Sequence, residues 1–127
     1  LAGFMKILSP SFTKIWKNRI LNIHPSLLPF FPGLNVFEKF SNSGMKIHGS
    51  TVHIVNEKID SGKILSQLAI PVSENEKRNT ILRKLKRLEN DLYVETIKQY
   101  IYKKFYPNKK SPSNKKRNSY NEFIISM

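Results

Sequence analysis

An asparagine and a histidine stand two residues apart in the run Leu21-Asn22-Ile23-His24, directly before a segment with three prolines. On a β-strand, side chains at i and i+2 share a face, with Cα atoms roughly 6.5–7 Å apart. A small molecule between them would meet an amide donor and an imidazole together. The amide can stabilise a developing oxyanion. The imidazole can move protons near neutral pH. Taken alone, the pair fits better an ordinary strand end, with His24 bonded to backbone. The next segment adds weight to the chemical reading. Pro25, Pro29 and Pro32 each fix a backbone torsion and restrict the residue before them. Leu27, Leu28, Phe30 and Phe31 give apolar ballast, and Gly33 permits a turn. A stiff loop beside a polar pair is a way to preorganise a site.

Asp60, in Lys58-Ile59-Asp60-Ser61-Gly62, is a third candidate. A carboxylate near an imidazole orients the ring and relays protons, although an Asp at such a place also simply shapes a turn. His53 shares a strand face with Thr51, so it is either a donor behind the reacting pair or a satisfied core histidine. His48, before Gly49, is a strand-end residue with no chemical assignment. Glu89 lies at the border of an apolar helix stripe, where it either reaches solvent or serves a ligand. Three histidines without regular spacing, in a chain without cysteine, predict no metal site. No phosphate-cradling glycine loop of the P-loop or dinucleotide type is present.

The elements that must hold these residues follow from pattern. Ser9-Pro10 is a helix start, with Ser9 as N-cap and Pro10 in the first turn. Residues 19–24 read as a buried strand, residues 25–34 as a loop, and residues 35–44 as a short helix ended by Gly44. Residues 46–56 alternate as a strand, with Val52 and Ile54 on one face and Thr51, His53 and Val55 on the other. Residues 63–72 form another strand after the Asp60-Ser61-Gly62 turn. From 76 to 105 the period becomes helical, with Ile81, Leu85, Leu88 and Leu92 on one stripe. The order strand, loop, helix, strand, strand, long helix predicts part of an α/β layered domain whose sheet is incomplete.

The chain has 127 residues, enough for one small domain. It begins with Leu, and its opening reads as the middle of a protein. No apolar run is long enough for a transmembrane helix, and no signal-peptide pattern is present; a cytoplasmic setting is expected. The net charge of +13 is uneven. Residues 1–75 carry eight basic and four acidic side chains, whereas residues 76–127 carry fourteen and five. The basic end has two readings. One is a nucleic-acid-binding tail; the other is a solvated helix face followed by a disordered tail. The lack of regularly interleaved aromatics favours the second. The domain organisation expected is residues 1–105 as the folded unit and 106–127 as a basic, low-complexity, disordered tail.

Four segments, Leu1–Pro10, Ile20–Gly33, Gly49–Leu65 and Leu88–Tyr93, together resemble the C-terminal half of the phosphoribosylglycinamide formyltransferase family, folate-dependent enzymes of purine biosynthesis. The Asn-x-His-Pro-Ser-Leu-Leu-Pro run carries the resemblance most specifically. Methionyl-tRNA formyltransferases typically have Ala after the His and an Arg-Gly-Ala stretch after the loop. Formyltetrahydrofolate deformylases typically have a second His and Lys-Gly. Pro25 and Pro32-Gly33 favour the glycinamide ribonucleotide enzyme over both.

The resemblance implies the C-terminal part of a Rossmann-like domain, three-layered with a mostly parallel sheet, without the N-terminal nucleotide-binding half. It implies formyl transfer from 10-formyltetrahydrofolate, a co-substrate, to the amine of glycinamide ribonucleotide. Asn22, His24 and Asp60 match the catalytic trio. Asn22 would hold the oxygen of the tetrahedral intermediate, while His24 and Asp60 would handle protons. Leu1, Phe4, Met5 and Leu8 match the folate-pocket lining, and Asn56, Ile59 and Asp60 the turn that holds the pterin head. Glu89 and Pro25 fall on the substrate side, with Thr51 and His53 behind the trio. Lys86 departs from the pattern, standing where a neutral polar residue is expected. The missing half could be carried by another chain. The other expectations carried forward are a basic nucleic-acid-binding protein and a remnant without activity.

Overall fold

The computed structural model describes residues 1–109 and the backbone of residues 123–126. The elements among the described residues are ordered α1 (Pro10–Ile15), β1 (Leu21–His24), α2 (Val36–Ser43), β2 (Ile47–Ile54), β3 (Ile64–Pro71), α3 (Arg78–Phe105) and β4 (Phe123–Ser126). Helix α1 starts as its sequence dictates: the Ser9 hydroxyl accepts the Phe12 N–H at 3.2 Å, and Pro10 needs no N–H there. Helix α2 ends at Gly44, which takes the left-handed conformation at φ 71°.

The strands form one sheet in the order β1-β2-β3-β4. Asn22 lies opposite His53, and His24 opposite Thr51. Thr51 in turn lies opposite Gln67 on β3. Alternation therefore gives the sheet two distinct faces. On one face Val52, Leu68 and Ile70 pack against Ile81, Leu85 and Leu92 of α3, with Ile23, Phe37 and Leu88 at the margin. The expected helix stripe thus faces the sheet. On this same side of β2, the His48 ring stacks on Phe40 of α2, with centroids 4.2 Å apart and planes 9° off parallel. The other face carries Asn22, His24, Thr51, His53 and Gln67.

The α/β class is as expected, with three differences inside this chain. All three strand pairings are antiparallel rather than mostly parallel. Residues 55–63, which join β2 to β3, are too few for a parallel crossover. Among the described residues the parallel element is a bridge between Ala2 and Ile23. The side of the sheet opposite α3 meets the prolyl loop, as the bonds from Thr51 and Gln67 to Ser26 and Leu28 show, and not a second helix layer there. Finally, Phe123–Ser126 pairs with β3, so this part of the tail departs from the expected disorder. Its Phe-Ile-Ile sequence has the β-branched and aromatic character that suits a strand, despite the basic surroundings. The expectation for residues 110–122 lies outside the described residues.

Candidate active site

The site face takes side chains from β1, β2 and β3 and is walled by two segments, the prolyl loop (residues 25–34) and the turn after β2 (residues 55–63). The turn approaches closely. A side chain at Gly62 would run into the Ile54 carbonyl, so only glycine lets the chain fold back there. Asn56 shapes the turn, its Oδ1 accepting the Lys58 N–H and the Ser61 hydroxyl, each at 3.0 Å. Asp60 then adopts the left-handed region at φ 48°, which Asp tolerates better than most residues. This conformation delivers its carboxylate to the loop and to both site histidines.

Asp60 Oδ2 accepts the Gly33 N–H at 2.8 Å and lies 3.3 Å from His24 Nδ1. Asp60 Oδ1 lies 3.6 Å from His53 Nε2. The pair is well shielded: the His24 side chain is 7% exposed and that of Asp60 12%. His24 Nε2 donates to the Phe31 carbonyl at 2.9 Å. Because a carbonyl can only accept, Nε2 bears a proton. His24 and Asp60 therefore form a close pair shielded from bulk water.

His53 is fixed differently. Its Nδ1 donates to the Ile54 carbonyl at 3.1 Å, and its Nε2 accepts the Asn22 amide N–H at 3.4 Å. Burial is the largest influence on its pKa and lowers it, against the Ile54 carbonyl and the Asp60 charge, which favour the protonated form. A neutral His53 can accept from Asn22, and this orients the amide with its NH2 group toward the ring. One of the two amide hydrogens goes to His53.

The prolyl loop is stiffened by more than its prolines. Ser26 is fully buried, and its hydroxyl donates to the Phe30 carbonyl at 2.6 Å. Thr51, also fully buried, donates to the Ser26 carbonyl at 2.7 Å and accepts the Leu28 N–H at 3.0 Å. Gln67 Nε2 donates to both the Leu28 carbonyl and Thr51 Oγ1 at 2.9 Å. Phe31 sits at φ 56°, strained for a bulky residue, at the point where its carbonyl meets His24.

The structure therefore brings Asn22, His24, His53, Thr51 and Asp60 together. Pro25, the residue after His24, is exposed at the rim. Glu89 is placed elsewhere: on α3, accepting the hydroxyl of buried Ser50, which points to the opposite face of β2. Leu1 is tied to the outer edge of β1, where its carbonyl accepts the Ile23 N–H at 3.2 Å. Phe4, Met5 and Ile59 are exposed, and Leu8 is half-buried. Asn56 is exposed, with its carbonyl oxygen spent on the turn. Ser26 and Gln67 complete the network without having been singled out in the sequence. The only hint was Gln67 itself, a polar residue at an alternating position of an otherwise apolar strand.

The family described as formyl transferase matches residues 1–97. Phosphoribosylglycinamide formyltransferase of Haemophilus influenzae is 41% identical over 100 residues, which cover 79% of this chain and 47% of that protein. The Bacillus subtilis protein of the same name is 39% identical over 101 residues, covering 80% of this chain and 52% of its own length. The chain thus spans about half the length of these curated relatives. The crystal structure of phosphoribosylglycinamide formyltransferase from Anaplasma phagocytophilum has a TM-score of 0.74 at 40% identity, covering 78% of this chain and 48% of that one. With the match extending over the whole of the site just described, the chain belongs to the formyl transferase family.

Proposed function

We propose that this chain carries the reacting end of an enzyme that transfers a formyl group from a folate, 10-formyltetrahydrofolate, to the primary amine of phosphoribosylglycinamide. The observation that carries the reading is the contact chain Asn22–His53–Asp60–His24 on one sheet face, walled by the prolyl loop. In the transfer a carbon–nitrogen bond forms from the substrate amine to the formyl carbon, and the bond from that carbon to the donor nitrogen breaks. Negative charge builds on the formyl oxygen in between. The remaining amide N–H of Asn22 is the donor for that oxygen. The His24–Asp60 unit takes the proton lost by the attacking amine and returns one to the departing nitrogen. Placing Leu1, Phe4, Met5, Leu8 and Ile59 on the donor side rests on their apolar character and partial exposure, which suit a flat ring; Asn56 and Asp60 add backbone groups.

Glu89 and Pro25 are assigned to the acceptor side. Strand β1 stops at His24, opposite Thr51, and Ser50 lies one residue further along β2. Beyond that point no strand among the described residues lies beside the β2 edge. A ligand lying along the edge could meet His24 on one side and Glu89 on the other. The part of the relatives' length that this chain does not span would complete the acceptor site.

The test is formyl transfer by the 127-residue chain, alone and mixed with the N-terminal half of a relative. Asn22→Ala is expected to lower the rate by roughly 10²–10³-fold, the cost of losing one oxyanion donor. Turnover no higher than in that variant, in both preparations, would sink the proposal.

A further inference from the structure

Gln67 neither borders the reacting pair nor joins the apolar core, yet both hydrogens of its amide nitrogen are engaged, on the Leu28 carbonyl and Thr51 Oγ1. Its neighbours Ser66 and Leu68 face α3 and are buried, so Gln67 alternates onto the site face. The hydroxyl of Thr51 has one proton and two acceptor positions. The acceptor positions are filled by the Leu28 N–H and by Gln67. Its own proton is thereby aimed at the remaining partner, the Ser26 carbonyl. One side chain on β3 thus pins the loop at Leu28 directly and at Ser26 through Thr51.

The loop passes that constraint forward. Ser26 bonds the Phe30 carbonyl, and the next residue presents its carbonyl to His24 Nε2. Two residues on, the Gly33 N–H meets Asp60. The left-handed backbone at Phe31 does not hold itself there, because such a conformation is unfavourable for a bulky side chain. It persists because the loop is held on either side.

We propose that Gln67 is a positioning residue: by holding the prolyl loop through Leu28 and Thr51, it keeps the Phe31 carbonyl on His24 and so fixes which imidazole nitrogen is protonated. Its functional meaning rests on the proposed role of His24 in formyl transfer, but the geometric claim stands apart from that role. Removing the amide should free the Leu28 carbonyl and let the Thr51 proton turn. The loop would then settle differently, and His24 would lose its fixed partner at Nε2.

The experiment is long-range proton–nitrogen correlation NMR on the full 127-residue chain, reading the ring nitrogens of His24. The wild-type chain should show protonated Nε2 with a proton slow to exchange. In Gln67→Met, similar in shape but without donors, that proton should exchange roughly tenfold faster or more. The tautomer signature should also average. Thr51→Val, which breaks the same link, should reproduce the change, and Thr51→Ser should restore the wild-type pattern. Leu68→Ala, aimed at α3, should lower the melting temperature yet leave the His24 signature unchanged. An unchanged signature in folded Gln67→Met or Thr51→Val, or the same loss in Leu68→Ala, would overturn the proposal. If Gln67→Met fails to fold, the Thr51 pair decides. Formyl transfer is measured separately, so its absence in the wild-type chain would count against the proposed function and not against this one.

Discussion

The two faces of the sheet are held by different physics. Toward α3, Val52, Leu68, Ile70, Ile81, Leu85 and Leu92 form a close-packed apolar cluster. Burial there is nondirectional, and its strength follows area and fit. On the other face, Ser26, Thr51, Gln67, His24 and Asp60 hold a loop and a turn by directed bonds. There each bond is modest, but leaving one partner buried and unsatisfied is costly. The first face makes the chain fold; the second decides where a carbonyl and a carboxylate sit.

The comparison is broken most sharply by Leu85→Ala. Leu85 is 2% exposed at the centre of the helix-packed face. Its truncation should cost about 2–5 kcal/mol in denaturant unfolding. The His24–Asp60 contact should survive in the fraction that remains folded, as its NMR signature would report. A cost under 1 kcal/mol would mean that α3 is not the principal cover of the sheet.

His48 gives the next effect, read through pH. It is buried against Phe37 and Phe40, and burial pushes its pKa down to about 4. The unfolded chain takes up this proton near the ordinary histidine value, well before the folded one does. Stability is therefore fully present above about pH 6.5 and falls as pH drops toward 4, by up to about 3 kcal/mol for this group. His48→Phe, which keeps an aromatic stack, should flatten that fall relative to wild type in urea titrations at pH 7, 5.5 and 4.5. Parallel curves for the two chains would refute it.

Thr51→Val tests the other face. The change keeps the shape but strips a hydroxyl that makes three bonds. The expected loss is about 1–3 kcal/mol. Unlike Leu85→Ala, it should act locally, raising hydrogen exchange at Leu28 and Gly33 more than in β3. Uniform loss of protection would mean that the two faces do not act separately.

How legible all this was in the sequence follows the same division. The apolar face was read nearly in full, because Ile81, Leu85, Leu88 and Leu92 recur at helical spacing and Val52 and Ile54 at strand spacing. Helix starts and stops at Ser9-Pro10 and Gly44 were equally plain. On the polar face, strand alternation put Asn22 with His24 and Thr51 with His53, and the β1–β2 pairing brings the two pairs together. It could not bring Asp60 to them, because that depends on a left-handed residue and on Gly62 beneath the Ile54 carbonyl. Nor could it show Gln67 reaching Leu28, 39 residues away. The mostly parallel sheet that the family resemblance implied is a property of the whole domain; inside this chain residues 55–63, read as a turn, join β2 to β3 as a hairpin, and the pairings are antiparallel. The pairing of β4 escaped notice because a lysine- and asparagine-rich neighbourhood masks a four-residue strand.

The smallest expected effect isolates burial within the loop itself. Lys39 Nζ donates to the Pro32 carbonyl at 2.8 Å, at an exposed position. The bond is shorter than either bond from Gln67, and it carries a full charge. Yet water competes for both partners there, and ordering a lysine side chain costs entropy. Lys39→Met should therefore shift unfolding by no more than about 0.5 kcal/mol. It should leave the exchange of the His24 Nε2 proton unchanged. Thr51→Val, with neutral bonds to the same loop, should disturb both. If Lys39→Met proved as damaging as Thr51→Val, the loop would be held from its solvent side, and burial of the polar network would not be what makes this face precise.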